Sequence, residues 1–304
     1  MSDPAETAES PADIRLPLPA AYRRLDFLEF HARDRQGLAE QVNATTLRKG
    51  LVWHGQPAGL TLSFEGDTAR LRLSAGGTLA GDDLAAWGRR FLGLDQPVEA
   101  FEAAWHTHPL LGPQLTRRPG LRLSQAATPF EALSWAITGQ QISVAAALGI
   151  RRRLIAATAL FTPDGLACYP DARAVAALSE AQLRTAGFSR SKAGTLLEIA
   201  HQILAGELPL DDWWSSSAHP AQLRARLLAV RGIGPWTVDY TLLRGFGHLD
   251  ASLHGDAAVR RGLGQLLGAT DDATRPDPRR TEAWLAPFAP WRSLVAAHLW
   301  QIQA

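Results

Sequence analysis

The sequence contains very little cysteine and lysine. Cys168 is the single cysteine among 304 residues, which excludes an intramolecular disulfide, a four-cysteine zinc site and a four-cysteine iron–sulfur cluster. Of 31 basic residues, only Lys49 and Lys192 are lysines. The arginines that make up the rest either reflect codon bias or serve phosphate contacts, for which arginine is the better donor.

Long apolar runs are absent as well. The longest ones cover a few residues, too few to span a bilayer. Residues 1–20 are rich in proline, alanine, serine and acids and lack an apolar signal core, so we expect a flexible tail there. These features predict a cytoplasmic protein without a membrane partner.

The charge is distributed unevenly along the chain. Residues 1–100 hold 11 basic and 14 acidic side chains, whereas residues 101–304 hold 20 basic and 16 acidic ones. This balance permits a nucleic-acid partner for the second part without requiring one. The composition, 46% hydrophobic and 20% charged, is that of a globular protein.

Hydrophobic periodicity divides the chain into two parts. Strand-like segments at residues 24–31, 45–53, 60–64 and 69–73, followed by a helix near 83–92, predict a β-rich N-terminal domain over residues 21–104. Short connections between these segments favour antiparallel pairing. From about residue 100, apolar residues recur three and four positions apart and predict helices over 130–148, 172–178, 180–185, 191–204, 221–230, 235–244, 256–267 and 291–300.

Two local features refine this assignment. Ser179 is predicted to cap the helix that follows, with Gln182 at its third position. Residues 270–280 are polar and contain two prolines, which predicts a loop.

The most informative segment is Arg231-Gly232-Ile233-Gly234-Pro235, between two predicted helices. Glycine lets the backbone approach a ligand closely, and the unpaired N–H groups of the second helix attract an anion. Ile233 can pack between the two helices. The segment thus predicts a phosphate clamp that includes Gly232, Ile233, Gly234 and Thr237; the alternative is an ordinary glycine-terminated helix followed by a proline-started one.

This segment resembles the helix-hairpin-helix of DNA base-excision glycosylases. Residues 129–145, with Gly-Gln-Gln at 139–141, resemble the pocket-side helix of that family. Residues 288–300 are similar to the closing helix of its 3-methyladenine DNA glycosylase II, or AlkA-like, branch. The three matches occur in the family's order and cover roughly residues 100–304.

The resemblance implies an α+β fold. A β-rich N-terminal domain would precede an all-helical body of two subdomains, residues 129–248 and residues 105–128 plus 249–304, with the active-site cleft between them. It also implies a monomer that acts on double-stranded DNA containing alkylated bases.

A glycosylase breaks the bond between a base and its deoxyribose. This reaction requires a carboxylate, because positive charge develops on the sugar as the base leaves. Asp256 matches the family carboxylate beyond the hairpin, at the predicted N-terminus of the next helix; the alternative for this residue is a plain N-cap. Asp250 is expected to cap or brace the loop, and Asp239 to be solvated. His254 is expected to be structural.

Trp236 bears on the mechanism. Members that also cleave the DNA backbone have a nucleophilic lysine at this position, and we expect neither lysine of this chain near the hairpin. The resemblance therefore implies a monofunctional enzyme that uses water and leaves an abasic site.

By the same resemblance, Trp236, Tyr240, Trp300 and Gln140 line a pocket for a flipped base. A cationic alkylated purine would stack there with about 0.5–2 kcal/mol of cation–π energy. The alternative is that these tryptophans belong to the core. Gln141 matches a position that enters the duplex, where some members carry leucine.

No side-chain metal site and no stoichiometric cofactor is predicted. The resemblance implies a Na⁺ or K⁺ ion on the backbone carbonyls of Leu228, Val230 and Gly232. Residues 151–153, three arginines, form either a phosphate contact or a solvated helix end. Two other functions stay open: a non-catalytic helix-hairpin-helix DNA-binding protein, and a glycosylase for another class of damaged base.

Overall fold

The N-terminal part of the chain is built on one antiparallel sheet. A computed structural model describes residues 12–75, 81–215, 220–271 and 273–302. The sheet contains β1 (Ala12–Pro17), β2 (Glu40–Val42), β3 (Thr46–Trp53), β4 (Gln56–Glu65) and β5 (Thr68–Ala75). Their order from one edge to the other is β1-β5-β4-β3-β2.

Strict alternation gives this sheet its buried face. In β5, Ala69, Leu71 and Leu73 are buried, and Leu71 pairs with Leu62 of β4. Helix α1 (Arg24–His31) precedes β2, and α2 (Gly81–Phe91) packs on the apolar face of the sheet, where Trp87 joins the core of this domain.

Helices form the rest of the described chain. They are α3 (Val98–Trp105), α4 (Gly112–Arg117), α5 (Pro129–Gly139), α6 (Val144–Thr158), α7 (Ala172–Ala176), α8 (Glu180–Thr185), α9 (Arg190–Leu204), α10 (Leu210–Ser215), α11 (Pro220–Ala229), α12 (Pro235–Phe246), α13 (Ala257–Leu266), α14 (Pro278–Leu285) and α15 (Arg292–Gln301). The central pair is α5 against α12, while α13 packs on α15. The predicted α+β architecture is confirmed. Across the described ranges, every helix is too short or too polar to cross a membrane.

Four local predictions were wrong. Residues 12–17 of the predicted tail form β1, and residues 1–11 lie outside the described chain. Residues 24–31 are helical, because Phe27, Leu28 and His31 share one buried face. The helix predicted over 130–148 is interrupted after Gly139, and Ser143 caps the second helix by accepting from the Ala146 N–H.

The predicted loop at 270–280 contains the fourth error. Pro278 stands at the first position of α14, and the Asp277 side chain caps that helix by accepting from the Arg280 N–H. In contrast, the capping box that Ser179 and Gln182 were predicted to form is confirmed.

A buried ion network of Glu40, Lys49, Glu131 and Arg151 connects the sheet to the helical body. Lys49 Nζ lies 2.7 Å from Glu40 and 2.8 Å from Glu131, and Arg151 lies 2.9 and 3.2 Å from the same two carboxylates. Burial pushes the pKa of Glu40 upward, but Lys49 and Arg151 outweigh it and hold that pKa well below its usual range. The interdomain ion network therefore fixes the start of α5 relative to β2 and β3.

The three arginines at 151–153 all have partners within the protein. Arg151 belongs to the interdomain ion network, Arg152 pairs with Asp34 at 3.0 Å, and Arg153 donates to the carbonyl of Ala186. Arg151 is buried and Arg152 is half-buried, whereas Arg153 is exposed.

Candidate active site

A cleft of about 1280 Å³ opens beside the segment between α11 and α12. Residues of α1, α5, α12, α13 and α15 line it. Every predicted side-chain site residue except Ile233 is among the lining residues. Ile233 is buried in the helical core, so its side chain holds the hairpin together and does not face the cleft.

Asp256 lies at the N-terminus of α13, with 9% of its surface exposed. Its Oδ1 accepts from the N–H groups of Ala258 and Val259, each at 2.9 Å, and from Trp300 Nε1 at 3.0 Å. Its Oδ2 accepts from Trp236 Nε1 at 2.8 Å. Asp256 is therefore an N-cap whose carboxylate also borders the cleft and accepts from two indoles.

The two indoles belong to an aromatic wall. Trp236 and Tyr240 are one helical turn apart on α12, with ring centroids 5.4 Å apart and planes 35° apart. Trp300, near the end of α15, reaches Asp256 from the other side. The aromatic residues predicted for the pocket are therefore together in the cleft.

The hairpin between α11 and α12 has the backbone that its glycines allow. Gly232 has a φ of +92°, and a Cβ atom there would lie 2.2 Å from Thr195 Oγ1. Apart from its chain neighbours, no heavy atom lies within 4 Å of a Cβ built on Gly234, so the space beside this residue, the N-cap of α12, is open. A helix N-terminus with open space before it can accept an anion.

Gln140 connects α5 to this hairpin. Its Nε2 donates to the Gly232 carbonyl at 3.0 Å and to Thr237 Oγ1 at 2.9 Å. Thr237 is 2% exposed, and its hydroxyl accepts from Gln140. Its contact with DNA stays a prediction. Gln140 borders the cleft, but its amide nitrogen already has two protein partners.

One expectation about lysine was wrong. Lys192, on α9, donates to the carbonyls of Thr138 at 2.9 Å and Gln140 at 2.7 Å, and therefore lies close to the hairpin. Burial lowers the pKa of its ammonium. The side chain holds the last carbonyls of α5 and is not among the residues that line the cleft.

Gln141 stands at the exposed tip between α5 and α6. Its backbone has a φ of +56°, a left-handed conformation that turns the chain sharply. The apolar side chains of Ile142 and Val144 beside it are 37% and 60% exposed. The tip therefore offers one amide and two apolar groups at the edge of the cleft.

The other acidic residues have partners outside the cleft. Asp239, expected to be solvated, is 2% exposed and pairs with Arg224. Asp250 braces the loop through a bidentate contact with Arg292, at 2.6 and 2.8 Å. His254 contacts Ser252. Among the described residues, no three of the types His, Cys, Asp and Glu form a group that could hold a metal ion.

The cleft is also lined by four residues that were not predicted from the sequence: Phe30, Arg33, Trp135 and Arg244. Phe30 and Arg33 come from the N-terminal domain, and no local signal connects them to the site. Arg244 could have been found, because Tyr240 and Arg244 continue the helical stripe that begins at Trp236.

The chain is similar to a known protein family and to named proteins. Residues 134–289, about half of the chain, match the family described as HhH-GPD superfamily base excision DNA repair protein. DNA-3-methyladenine glycosylase 2 of Escherichia coli K12 is 31% identical over 185 residues, which span 60% of this chain and 61% of that protein.

Two solved structures share the fold. A 3-methyladenine DNA-glycosylase from Archaeoglobus fulgidus matches with a TM-score of 0.79 at 19% identity, over 95% of this chain and 97% of that one. The 8-oxoguanine glycosylase/lyase of Clostridium acetobutylicum, in complex with double-stranded DNA, matches with a TM-score of 0.69 at 14% identity, over 92% and 91%. The sequence match, supported by this shared fold, shows that the chain belongs to the HhH-GPD superfamily of base excision DNA repair proteins, in its AlkA-like branch.

Proposed function

We propose that this protein is a monofunctional DNA glycosylase, active as a monomer, that flips alkylated bases out of double-stranded DNA. It hydrolyses the N-glycosidic bond and leaves an abasic site. The observation that carries the proposal is Asp256, held by the indoles of Trp236 and Trp300 in a cleft beside the hairpin. The family match and the named relatives support the same activity.

The contacts of Asp256 suit a carboxylate that opposes positive charge. An ionised carboxylate is an acceptor only, and all four of its partners are N–H donors. Within the described ranges, no cationic side chain forms a salt bridge with Asp256. Its negative charge is therefore free to stabilise the cation that develops at the deoxyribose C1′, or to orient the attacking water.

The nature of Trp236 supports hydrolysis rather than covalent catalysis. An indole cannot form a Schiff base with the sugar, and here its N–H donates to Asp256. Lys192 is close, but its ammonium donates to two carbonyls behind the cleft. Water is the nucleophile that these contacts leave available.

DNA would bind across the hairpin and the tip at Gln141. The open space at Gly234 leaves room for a phosphate at the α12 N-terminus. The tip residues would fill the gap left by the flipped nucleotide, with Ile142 adding the apolar surface that a glutamine lacks.

A monovalent cation at the hairpin would suit the same phosphate. The carbonyl of Gly232 accepts from Gln140, and that of Val230 accepts from the Ile233 N–H, so each keeps a second lone pair. With the Leu228 carbonyl they form an all-oxygen donor set, which fits Na⁺ or K⁺.

The test is base release from duplexes that each carry one defined lesion: 7-methylguanine, 1,N⁶-ethenoadenine or hypoxanthine. We expect free base and an alkali-labile site, without strand cleavage and without a borohydride-trapped adduct. No release from any lesion would favour a non-catalytic DNA-binding protein. An adduct that disappears in Lys192→Gln would show that the protein is a lyase and that Lys192 is its nucleophile.

A further inference from the structure

Helix α9 contacts both segments that would bind DNA. One is the hairpin, residues 231–234, and the other is the tip, residues 140–143, between α5 and α6. On α9, Lys192 is half-buried and Thr195 is buried, and the two side chains lie three positions apart on one face. Neither side chain is among those that line the cleft.

Lys192 holds the start of the tip. Helix α5 ends at Gly139, and the last carbonyls of a helix lack the N–H partners that a continuing helix would supply. The Lys192 ammonium donates to the carbonyls of Thr138 at 2.9 Å and of Gln140 at 2.7 Å. A cation at this end of α5 also suits the helix dipole. These contacts immediately precede Gln141, where the left-handed backbone turns the chain.

Thr195 holds the hairpin in a comparable way. Its hydroxyl donates to the Arg231 carbonyl at 2.9 Å, and it lies so close to Gly232 that a Cβ atom there would come within 2.2 Å of Oγ1. Gln140 then joins the two segments directly, because its Nε2 donates to the Gly232 carbonyl at 3.0 Å. The tip and the hairpin are therefore connected to the same helix and to each other.

The distance between the tip and the hairpin matters for base flipping. The hairpin would hold a backbone phosphate while the tip enters the duplex. A loosely held tip would lose conformational freedom as it enters, and that loss would cost free energy during binding, whereas a tip that folding has already ordered avoids this cost. The benefit is largest for a paired lesion, because most flipping energy must be recovered there.

We propose that Lys192 is a positioning residue for base flipping, which fixes the tip at a set distance from the phosphate-binding hairpin. The proposal rests on the glycosylase activity proposed above. Lys192 acts through the backbone of the tip and has no contact of its own with the sugar or the base. Thr195, one turn further along α9, positions the hairpin and has no part in flipping.

The experiment measures single-turnover excision of a lesion that the wild type releases, placed once in a paired context and once in a mismatch. We expect Lys192→Met to slow excision of the paired lesion about fivefold and that of the mismatched lesion less than about twofold. The paired-to-mismatched rate ratio therefore falls. Lys192→Arg should restore a ratio near that of the wild type, because a guanidinium can donate to both carbonyls.

Thr195→Val is the matched control on the same helix. It keeps the shape of the side chain and removes the donor for the Arg231 carbonyl. We expect weaker binding to damaged and undamaged duplexes alike, with an unchanged paired-to-mismatched ratio. If Lys192 only stabilised α9, Lys192→Met and Thr195→Val would change the two measurements in the same way.

A second comparison tests whether Lys192 acts through the tip. The tip variant combines Gln141→Ala with Ile142→Ala and so removes the two side chains that could fill the gap. Adding Lys192→Met to this variant should lower the ratio little further, because the group that it positions is already absent. Falls that multiply would show that Lys192 acts elsewhere.

Each outcome separates the two proposals. An unchanged ratio in Lys192→Met, or a fall that Lys192→Arg does not restore, overturns the positioning role and leaves the glycosylase proposal standing. A borohydride-trapped adduct that disappears in Lys192→Arg would make Lys192 a nucleophile instead. No base release by the wild type overturns both proposals. If Lys192→Met does not fold, Lys192→Gln replaces it and should show the same fall, since its shorter, uncharged side chain cannot serve both carbonyls.

Discussion

Two groups of buried carboxylates differ in the partners that surround them. In the interdomain ion network, Glu40 and Glu131 each contact both Lys49 and Arg151. In the cleft, Asp256 contacts N–H donors of neutral groups. The first arrangement neutralises the negative charge, whereas the second holds the carboxylate in place and leaves its charge available.

This difference separates the carboxylates that stabilise the fold from the carboxylate that is proposed to take part in the reaction. Breaking a buried ion pair leaves an uncompensated charge and destabilises the fold. A carboxylate held only by neutral donors contributes less to stability but can respond to charge that develops in a transition state. Asp256 is a carboxylate of the second kind, and it lines the cleft.

The largest loss of unfolding free energy should come from a change in the interdomain ion network. Lys49→Met leaves two buried carboxylates with one cation, and we expect it to lower the free energy of unfolding by about 3–5 kcal/mol. Arg48→Met is the matched control on the same strand, because its ion pair with Asp164 is exposed and should be worth less than about 1 kcal/mol. Urea denaturation of both variants tests this, and equal losses would contradict the account of the network.

Acid should destabilise the fold through buried histidine. Burial lowers the pKa of His298 to about 4, from an ordinary value of 6.5. The unfolded chain therefore binds the proton first, and stability is present above pH 6.5 and is lost as the pH falls towards 4, by up to about 3 kcal/mol. His31 shifts in the same direction, also mainly because of burial.

His298→Leu removes one of these two groups together with a buried nitrogen that lacks a partner. Unfolding measured at several pH values should show a shallower loss below pH 6.5 than in the wild type. An unchanged slope would mean that His298 is not the group that titrates.

The hairpin should contribute affinity without selecting lesions. Gly234→Leu fills the open space before α12, and we expect about tenfold weaker binding, equivalent to one or two lost hydrogen bonds, to damaged and undamaged duplexes alike. Gly194→Leu, on the open side of α9, is the matched control. A change in lesion preference at constant overall affinity would argue against a phosphate clamp.

The smallest effect is expected at the tip. Gln141→Ala should slow excision of a paired lesion by a few fold, and slow excision of the same lesion in a mismatch less, because less flipping energy remains to be recovered there. Single-turnover rates in the two contexts measure this. Equal losses would show that another residue, with Ile142 the nearest candidate, fills the gap.

The sequence predicted features that depend on neighbouring residues. The alternation in β5, the capping box at Ser179 and the hairpin glycines are local, and the structure has each of them. Asp256 and Trp236 were identified through the resemblance to the helix-hairpin-helix family, and the structure brings them together in the cleft. Residues 24–31 were mistaken for a strand because partial alternation over so short a segment does not exclude a helix.

Features that depend on distant residues were not predictable. The contact between Arg151 and Glu40 joins positions 111 apart, and that between Lys49 and Glu131 joins positions 82 apart. The position of Lys192 beside Gln140 depends in the same way on how α9 packs against α5. No periodicity connects such pairs, so tertiary packing alone decides which charges are neutralised and which face the cleft.

The most direct test compares a carboxylate of the interdomain ion network with the carboxylate of the cleft. It measures base release and the free energy of unfolding for both Asp256→Asn and Glu131→Gln. Asparagine can keep the Oδ1 contacts and loses the Trp236 bond, so Asp256→Asn should change stability by about 1 kcal/mol and slow single-turnover release at least about 100-fold. Glu131→Gln should lose several times more stability, about 3–5 kcal/mol, and keep a rate per folded molecule close to that of the wild type. Near wild-type release by Asp256→Asn would contradict the central claim that the carboxylate without a cationic partner performs the chemistry.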